Sequence, residues 1–221
     1  MNQKTAYSPI LITGIERSGS SIVAKIINKC GAYSGVVNEM HENVSIKAVV
    51  DWYYRERLLI SEKGQKPLPN TRRLPSVPDW RVSISTLLLD QGYTGQQTWL
   101  YKSSRIAQIW PIWNQAYPNA KWIIVRRRTG DIIQSCLKTG FMKAYSDQVG
   151  WLGWIHEHEK LFVAMIEKGL NCKVIWPERM ATGDFEQMQE TIEWLGLEWN
   201  DKIPEMIQPL FKNSLQKERS L

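Results

Sequence analysis

Apolar positions along this chain come in short runs, each followed by a stretch in which they recur every three or four residues. Pro9-Ile-Leu-Ile-Thr13 is the first run. It is β-branched at Ile10, Ile12 and Thr13 and ends at Gly14, so it reads as a buried strand. From Gly19 to Cys30 the period becomes helical, with Ile22, Val23, Ile26 and Ile27 on one face and Gly31 closing it. Residues 43–61 also look helical, ending near Ser61. Thr98–Lys102 predicts a second strand, with a helix from about Arg105 to Tyr117. Lys121–Val125 is the clearest strand, and a helix from about Gly130 to Thr139 follows it. Trp151, Trp154, Ile155, His158, Phe162 and Met165 mark one face of a further helix. Cys172–Trp176 is another strand, stopped by Pro177. Gly183–Leu195 is a final helix, with Phe185, Met188, Ile192 and Leu195 on one face.

Strands that alternate with helices imply parallel βαβ units with helices on both sheet faces. The expected class is α/β, a three-layer αβα sandwich with a central parallel sheet of about four to five strands. Ligands of such folds sit beyond the carboxyl ends of the strands. That directs attention to the residues just after Thr13, Lys102, Val125 and Trp176. The stretch Lys63–Trp80 holds Pro67, Pro69, Pro75 and Pro78, which fit neither a helix interior nor a central strand. It reads as a long surface loop, an insertion at about 62–80. Its Arg72 and Arg73 suit either a lid or acceptor wall, or a plain surface loop.

Composition narrows this picture only in places. A chain of 221 residues suits one domain, 1–221, with a polar basic tail at about 201–221. Eleven Trp suggest a core or pocket walls rich in large aromatics. A net charge of +6 suggests an anionic ligand, with nucleic acid, a nucleotide and a sulfated or phosphorylated substrate all open. Cys30, Cys136 and Cys172 are odd in number and without metal-ligand spacing, so they read as reduced. Met1–Ser8 lacks an apolar signal core, and no apolar run approaches membrane-spanning length. The expectation is a soluble cytoplasmic protein.

Gly14-Ile-Glu-Arg17-Ser-Gly19-Ser20-Ser21 follows the first strand and opens the first helix. It has the frame of a phosphate loop, Gly-x4-Gly, with Ser20 where a Lys is usual. Backbone N–H groups at a helix N-terminus bind phosphate well. Ser18, Ser20 and Ser21 add hydroxyl donors, and Arg17 adds a fork for phosphate or sulfate oxygens. Nucleoside triphosphatases place that Lys on the β- and γ-phosphates and hold Mg²⁺ with an acidic strand end. Here Val125 is followed by Arg126-Arg-Arg128 instead. Both departures point to a metal-free nucleotide with a different transferred group. A tight strand–helix turn capped by serines is the plain alternative.

Three arginines at a strand end repel one another unless an anion or carboxylates sit among them. Asp131 at the following helix start suits the dipole, and Ser135 lies one turn further on. The run also reads as a solvated basic surface with Asp131 neutralising it. Arg127-x3-Asp131-x3-Ser135 after an apolar strand resembles the 3′-phosphate motif of the sulfotransferases that use 3′-phosphoadenosine-5′-phosphosulfate (PAPS). Residues 15–21 resemble their 5′-phosphosulfate loop. Tyr117-Pro-Asn-Ala-Lys121, Trp176-Pro-Glu178 and Trp194-Leu-Gly-Leu197 are similar to further family features in the same order, from about residue 9 to 199. The resemblance implies a P-loop fold in which Arg17, Ser18, Gly19, Ser20 and Ser21 hold the 5′-phosphosulfate. It also implies that Arg127 and Ser135 hold the 3′-phosphate. PAPS is then the donor and 3′-phosphoadenosine-5′-phosphate (PAP) the product, with no metal.

Sulfuryl transfer to a hydroxyl or amine needs a base, cations on the moving group and leaving phosphate, and in-line alignment. Arg17 and Lys102 are the candidate cations; Lys102 ends a strand and points to the crevice, although a strand-end Lys is often only exposed. Tyr101-Lys-Ser-Ser104 resembles the family's Lys-bearing segment but lacks the His that small-molecule enzymes place there. Asn38-Glu39-Met40-His41 resembles the Asn-Glu-x-His segment of heparan sulfate O-sulfotransferases, which implies Glu39 as base, His41 as helper and a carbohydrate hydroxyl as acceptor. Glu42 is the alternative base, and Glu39 and Glu42 also suit mere flanking and capping of the next helix. His156 and His158 at i, i+2 face different sides of a helix, which argues against a metal pair. The late Arg-Lys-Gly-x2-Gly segment of many cytosolic members does not occur after Leu197. Two other readings stand beside a sulfotransferase. One is a P-loop kinase or nucleotidase; the other is a non-catalytic module binding nucleic acid or other anions.

Overall fold

The structure, a computed structural model, describes residues 8–60, 65–66 and 68–209. Four strands form one parallel sheet: β1 (Ile10–Gly14), β2 (Leu100–Lys102), β3 (Lys121–Val125) and β4 (Cys172–Ile175), in the order β2-β1-β3-β4. Both faces are covered, and the alternation along β1 shows how. Leu11 packs into one core with Tyr101, Trp122 and Ile124. Ile10 and Ile12 pack into the other with Leu100, Ile123 and Val125. Side chains of a strand alternate faces, so a strand buried on both sides reads as an unbroken apolar run.

Helices α1 (Ser20–Lys29) and α8 (Glu186–Leu195) cover the second face. The first face is covered by α2 (Val44–Trp52), α3 (Trp80–Asp90), α4 (Trp110–Ala116), α5 (Thr129–Lys138) and α6 (Gln148–Glu167). The four-residue α7 (Glu178–Ala181) follows β4. Six of the eleven Trp are buried, and Trp113 stacks on Tyr101 while meeting Trp80 edge-on, both with ring centroids 5.4 Å apart. The aromatic content therefore serves chiefly as core.

Several boundaries differ from the sequence reading, each for a local reason. The strand expected from Thr98 starts at Leu100, because Trp99 makes only an isolated bridge to Tyr33. The helix expected over 105–117 is a 3₁₀ stretch, Ser104–Ile109, followed by α4, whose first turn carries Pro111. Proline has no N–H to continue an upstream ladder but is preorganised for a first turn. The helix expected over 43–61 is α2 plus a π-turn, Tyr53–Arg57; its expected end at Ser61 lies outside the described residues. The helix expected over 183–195 starts at Glu186 rather than Gly183, where Gly183 takes φ 89° and the Asp184 carboxylate accepts from the Glu186 N–H. α3 lies almost wholly in residues 81–97, to which the sequence reading assigned no element. The tail is not uniformly polar: residues 203–209 are helical and bury Ile203 and Ile207 in the second core. The expectations for Met1–Tyr7 and for the tail beyond 209 lie outside the described residues. Among the described residues, no helix is long and apolar enough to cross a membrane.

β1 is followed in the chain by its neighbour on one side, β2, and β3 lies on its other side. The crevice between the carboxyl ends of β1 and β3 is therefore a topological switch point, where open α/β sheets bind ligands.

Candidate active site

The loop after β1 is shaped by two close approaches. Gly14 lies so near β3 that a Cβ there would sit 2.5 Å from the Val125 carbonyl oxygen and 2.6 Å from Ser18 Oγ. Gly19 takes φ 90° and starts α1 without a side-chain cap, leaving the first N–H groups of the helix for a ligand. Arg17 takes φ 72°, a left-handed conformation that a long side chain adopts at a cost of about 1–3 kcal/mol. Such strain persists where the surroundings over-determine it, and here they do. Arg17 Nε donates to Ser135 Oγ at 2.8 Å, and Arg127 Nη1 donates to the Arg17 carbonyl at 3.3 Å. The structure thus joins the two anion motifs of the sequence across the switch point. Ser18 Oγ is buried without a hydrogen-bond partner, and Ser20 is buried beside it.

The three arginines after β3 do not simply face solvent. Arg126 pairs with Glu159 at 2.7 Å and lies over the Trp176 ring at 5.2 Å. Arg128 pairs with Glu178 at 3.5 Å, and Arg127 has Asp131 at 3.8 Å. Each has a carboxylate, which answers the repulsion among them. Only Arg127 also reaches the loop after β1.

Lys102 is 6% exposed at the end of β2, with Nζ 3.5 Å from Glu42 Oε1. Burial pushes its ammonium pKa down, and Glu42 and then Glu16 act in the opposite sense. Glu42 is fixed from behind. Its N–H donates to Asn38 Oδ1 at 2.9 Å, and Asn38 Nδ2 donates to its Oε2 at 3.3 Å. The cap of α2 comes from Asn43 rather than from Glu42: its Oδ1 accepts from the Ser45 and Ile46 N–H groups. Glu39 sits differently. The chain turns tightly over 38–42, with the His41 N–H donating to the Asn38 carbonyl and His41 at φ 58°. That turn leaves Glu39 and Met40 exposed on its outside and brings Glu42 inward. The sequence resemblance favoured Glu39, but the residue facing Lys102 is Glu42.

His41 is 7% exposed, and its Nε2 is buried without a hydrogen-bond partner. Burial, with Lys25, Lys102 and Lys29 nearby, lowers its pKa to about 4, so the ring is neutral at pH 7. The unfolded chain, near the ordinary 6.5, binds more protons between those two values. Stability carried by the neutral ring is complete above about pH 6.5 and is lost as pH falls towards 4. A His41→Asn variant keeps a side chain that tolerates the left-handed turn. Its denaturant midpoint should fall less than that of the parent between pH 6.5 and pH 4, whereas parallel curves would remove His41 as a source of the slope.

A cavity of about 890 Å³ opens beside Lys102 and Glu42. Its walls include Glu16, Asp51, Ser103, Arg105 and the segment Gly140–Ala144. Gln65 joins that segment to the Pro-rich stretch: its Oε1 accepts from the Lys143 and Ala144 N–H groups at 3.1 Å, and its carbonyl accepts from Trp154 Nε1 at 2.8 Å. The stretch therefore lends Gln65 and Lys66 to the cavity, while Arg72 and Arg73 stay exposed in a 3₁₀ turn. Sequence reasoning missed Glu16, Asp51 and Arg105 as cavity residues, although Glu16 lies inside the loop motif itself. His158 is fully buried between Gln108 Nε2 and the Trp154 carbonyl, and His156 is exposed. Among the described residues no group of His, Cys, Asp or Glu is arranged to hold a metal.

A solved structure of a sulfotransferase from Mycobacterium tuberculosis is similar over 91% of this chain and 70% of its own, at 13% identity and a TM-score of 0.49. No curated protein sequence matches the chain. The family model described as the sulfotransferase family matches residues 9–201, which takes in all four strands and both anion motifs. The chain belongs to the sulfotransferase family.

Proposed function

We propose that this protein transfers a sulfuryl group, in line and without a metal, from PAPS to a hydroxyl-bearing acceptor held in the cavity beside Lys102. The observation that carries this reading is the Arg17–Ser135 hydrogen bond, which makes one cradle of the two anion motifs. In that cradle the loop 17–21 takes the 5′-phosphosulfate, and Arg127 and Ser135 take the 3′-phosphate. Charged guanidinium forks and buried hydroxyl donors suit tetrahedral oxyanions. The missing loop lysine and the basic end of β3 speak against a Mg²⁺-dependent kinase. Three free cysteines suit a reducing, cytoplasmic setting.

The acceptor oxygen attacks sulfur as its proton passes to Glu42, and the bond between sulfur and the phosphate oxygen breaks to release PAP. Glu42 is favoured over Glu39 because it lines the cavity and is held by Asn38 and Lys102. Geometry comes before pKa in choosing a base. Lys102 and Arg17 stabilise charge on the transferring group and the departing phosphate.

Arg127→Ala tests the donor reading. The variant should lose far more affinity for PAP than for adenosine 5′-phosphate, measured by calorimetry. A bidentate phosphate contact of this kind is worth about 1.5–3 kcal/mol, so the loss for PAP should exceed tenfold. Equal loss for both nucleotides would remove Arg127 from the 3′-phosphate.

A further inference from the structure

Glu16 stands inside the phosphate loop, one residue before Arg17, and its side chain lines the 890 Å³ cavity. An acid is an unusual choice for a loop that must hold an anion, since like charges repel at short range. Lys102 lies within electrostatic range of it, but no cation is in contact with it. Of the three acids on the cavity wall, Asp51 is paired with Lys47 and, at 2.9 Å, with Arg105. Glu42 is paired with Lys102. Glu16 has no hydrogen bond or ion pair among the described residues, and its Oε2 is closed off from solvent without a partner. Arg17, the nearest cation in sequence, is turned away to Ser135. A carboxylate that has lost part of its hydration and gained no partner costs free energy until a cation or hydrogen-bond donor meets it. The cavity gives such a group a way in, and it leads to the same place as the proposed base.

We infer that Glu16 binds a cationic amine of the acceptor, and that the acceptor is an amino-bearing alcohol whose ammonium sits against the donor loop while its hydroxyl faces Glu42. This rests on the donor reading above. It explains why an acid is placed in an anion loop: the acceptor's charge offsets Glu16, and donor and acceptor then bind with positive coupling. Without the amine, Glu16 opposes the donor. With it, the repulsion is screened at the point where it acts. Coupling of this kind is reciprocal, so it can be read from the donor side without knowing the acceptor.

The experiment measures PAP affinity by calorimetry for the parent and for Glu16→Gln, in sodium chloride and in methylammonium chloride at equal ionic strength. Glu16→Gln in sodium chloride should bind PAP about threefold or more tightly than the parent, because one repulsive charge is gone. Methylammonium should tighten PAP binding to the parent and leave the variant unchanged. A variant that binds PAP no better than the parent, or a methylammonium effect that persists in it, overturns the inference. Glu16→Ala repeats the comparison and separates loss of charge from any effect of the amide. If the parent binds no PAP at all, the donor reading itself fails, and this inference with it.

Discussion

Glu42→Gln should lower kcat by about 10²- to 10⁴-fold, the usual worth of a positioned general base, while PAP affinity stays nearly the same. The amide keeps the shape of the side chain and can still meet Asn38, but it cannot take the acceptor's proton. Because Lys102 is buried against Glu42, the substitution also leaves an ammonium without its counter-charge. Breaking a buried pair from one side costs about 3–5 kcal/mol, so retained PAP binding is needed to show that the variant is folded. Glu39→Gln is the contrasting variant. Glu39 is exposed on the outside of the 38–42 turn, and its loss should leave turnover close to that of the parent. A collapse of turnover in Glu39→Gln with activity retained in Glu42→Gln would return the base to Glu39.

Lys102→Met should cost about 10²- to 10³-fold in kcat, the range seen when one preorganised electrostatic contact to developing charge is removed. Methionine fills a similar volume at the end of β2 without the charge, so the loss reports charge rather than packing. The contacts that hold Glu42 to Asn38, 2.9 Å and 3.3 Å in the parent, do not involve Lys102. The double variant Glu42→Gln/Lys102→Met is informative. Groups that act as a unit give losses far short of additive, so the pair together should be little worse than the poorer single variant. Fully additive losses would mean that Lys102 and Glu42 serve separate steps.

Much of this arrangement was legible in the sequence because strand and loop are local. β1 and β3 bury both faces, and an apolar run closed by Gly14 or an arginine is hard to mistake; β4, half-buried at the sheet edge, was marked mainly by Pro177 after it. The Gly-x4-Gly frame and the Arg127–Ser135 spacing are fixed by one loop and one helix, so they too could be read directly. The convergence of Arg17 with Ser135, 118 residues away, followed from strand order rather than from either motif. α3 was harder. Its buried residues Trp80, Ile84 and Leu88 keep a helical period, but Val82 and Leu89 are exposed apolar residues that blur it.

The choice between Glu39 and Glu42 was not legible, for a different reason. Glu39 and Glu42 are both acidic, three residues apart, in a segment without regular structure. Which of them faces the cavity depends on the left-handed turn at His41 and on Asn38, and neither leaves a periodic signal. Cavity residues such as Asp51 and Arg105 come from separate elements, α2 and the 3₁₀ stretch after β2, that meet only in the folded chain. Glu16 was visible all along inside the loop motif, but its lack of a partner is a property of the folded chain.

The central claim is that Arg17, Arg127 and Ser135 form one site for a nucleotide carrying a 3′-phosphate. Calorimetric titration of the protein with PAP and with ATP, each with and without Mg²⁺, tests it most directly. The account predicts tight PAP binding that is indifferent to Mg²⁺, and weak binding of ATP under both conditions. Preference for ATP in the presence of Mg²⁺ would contradict it.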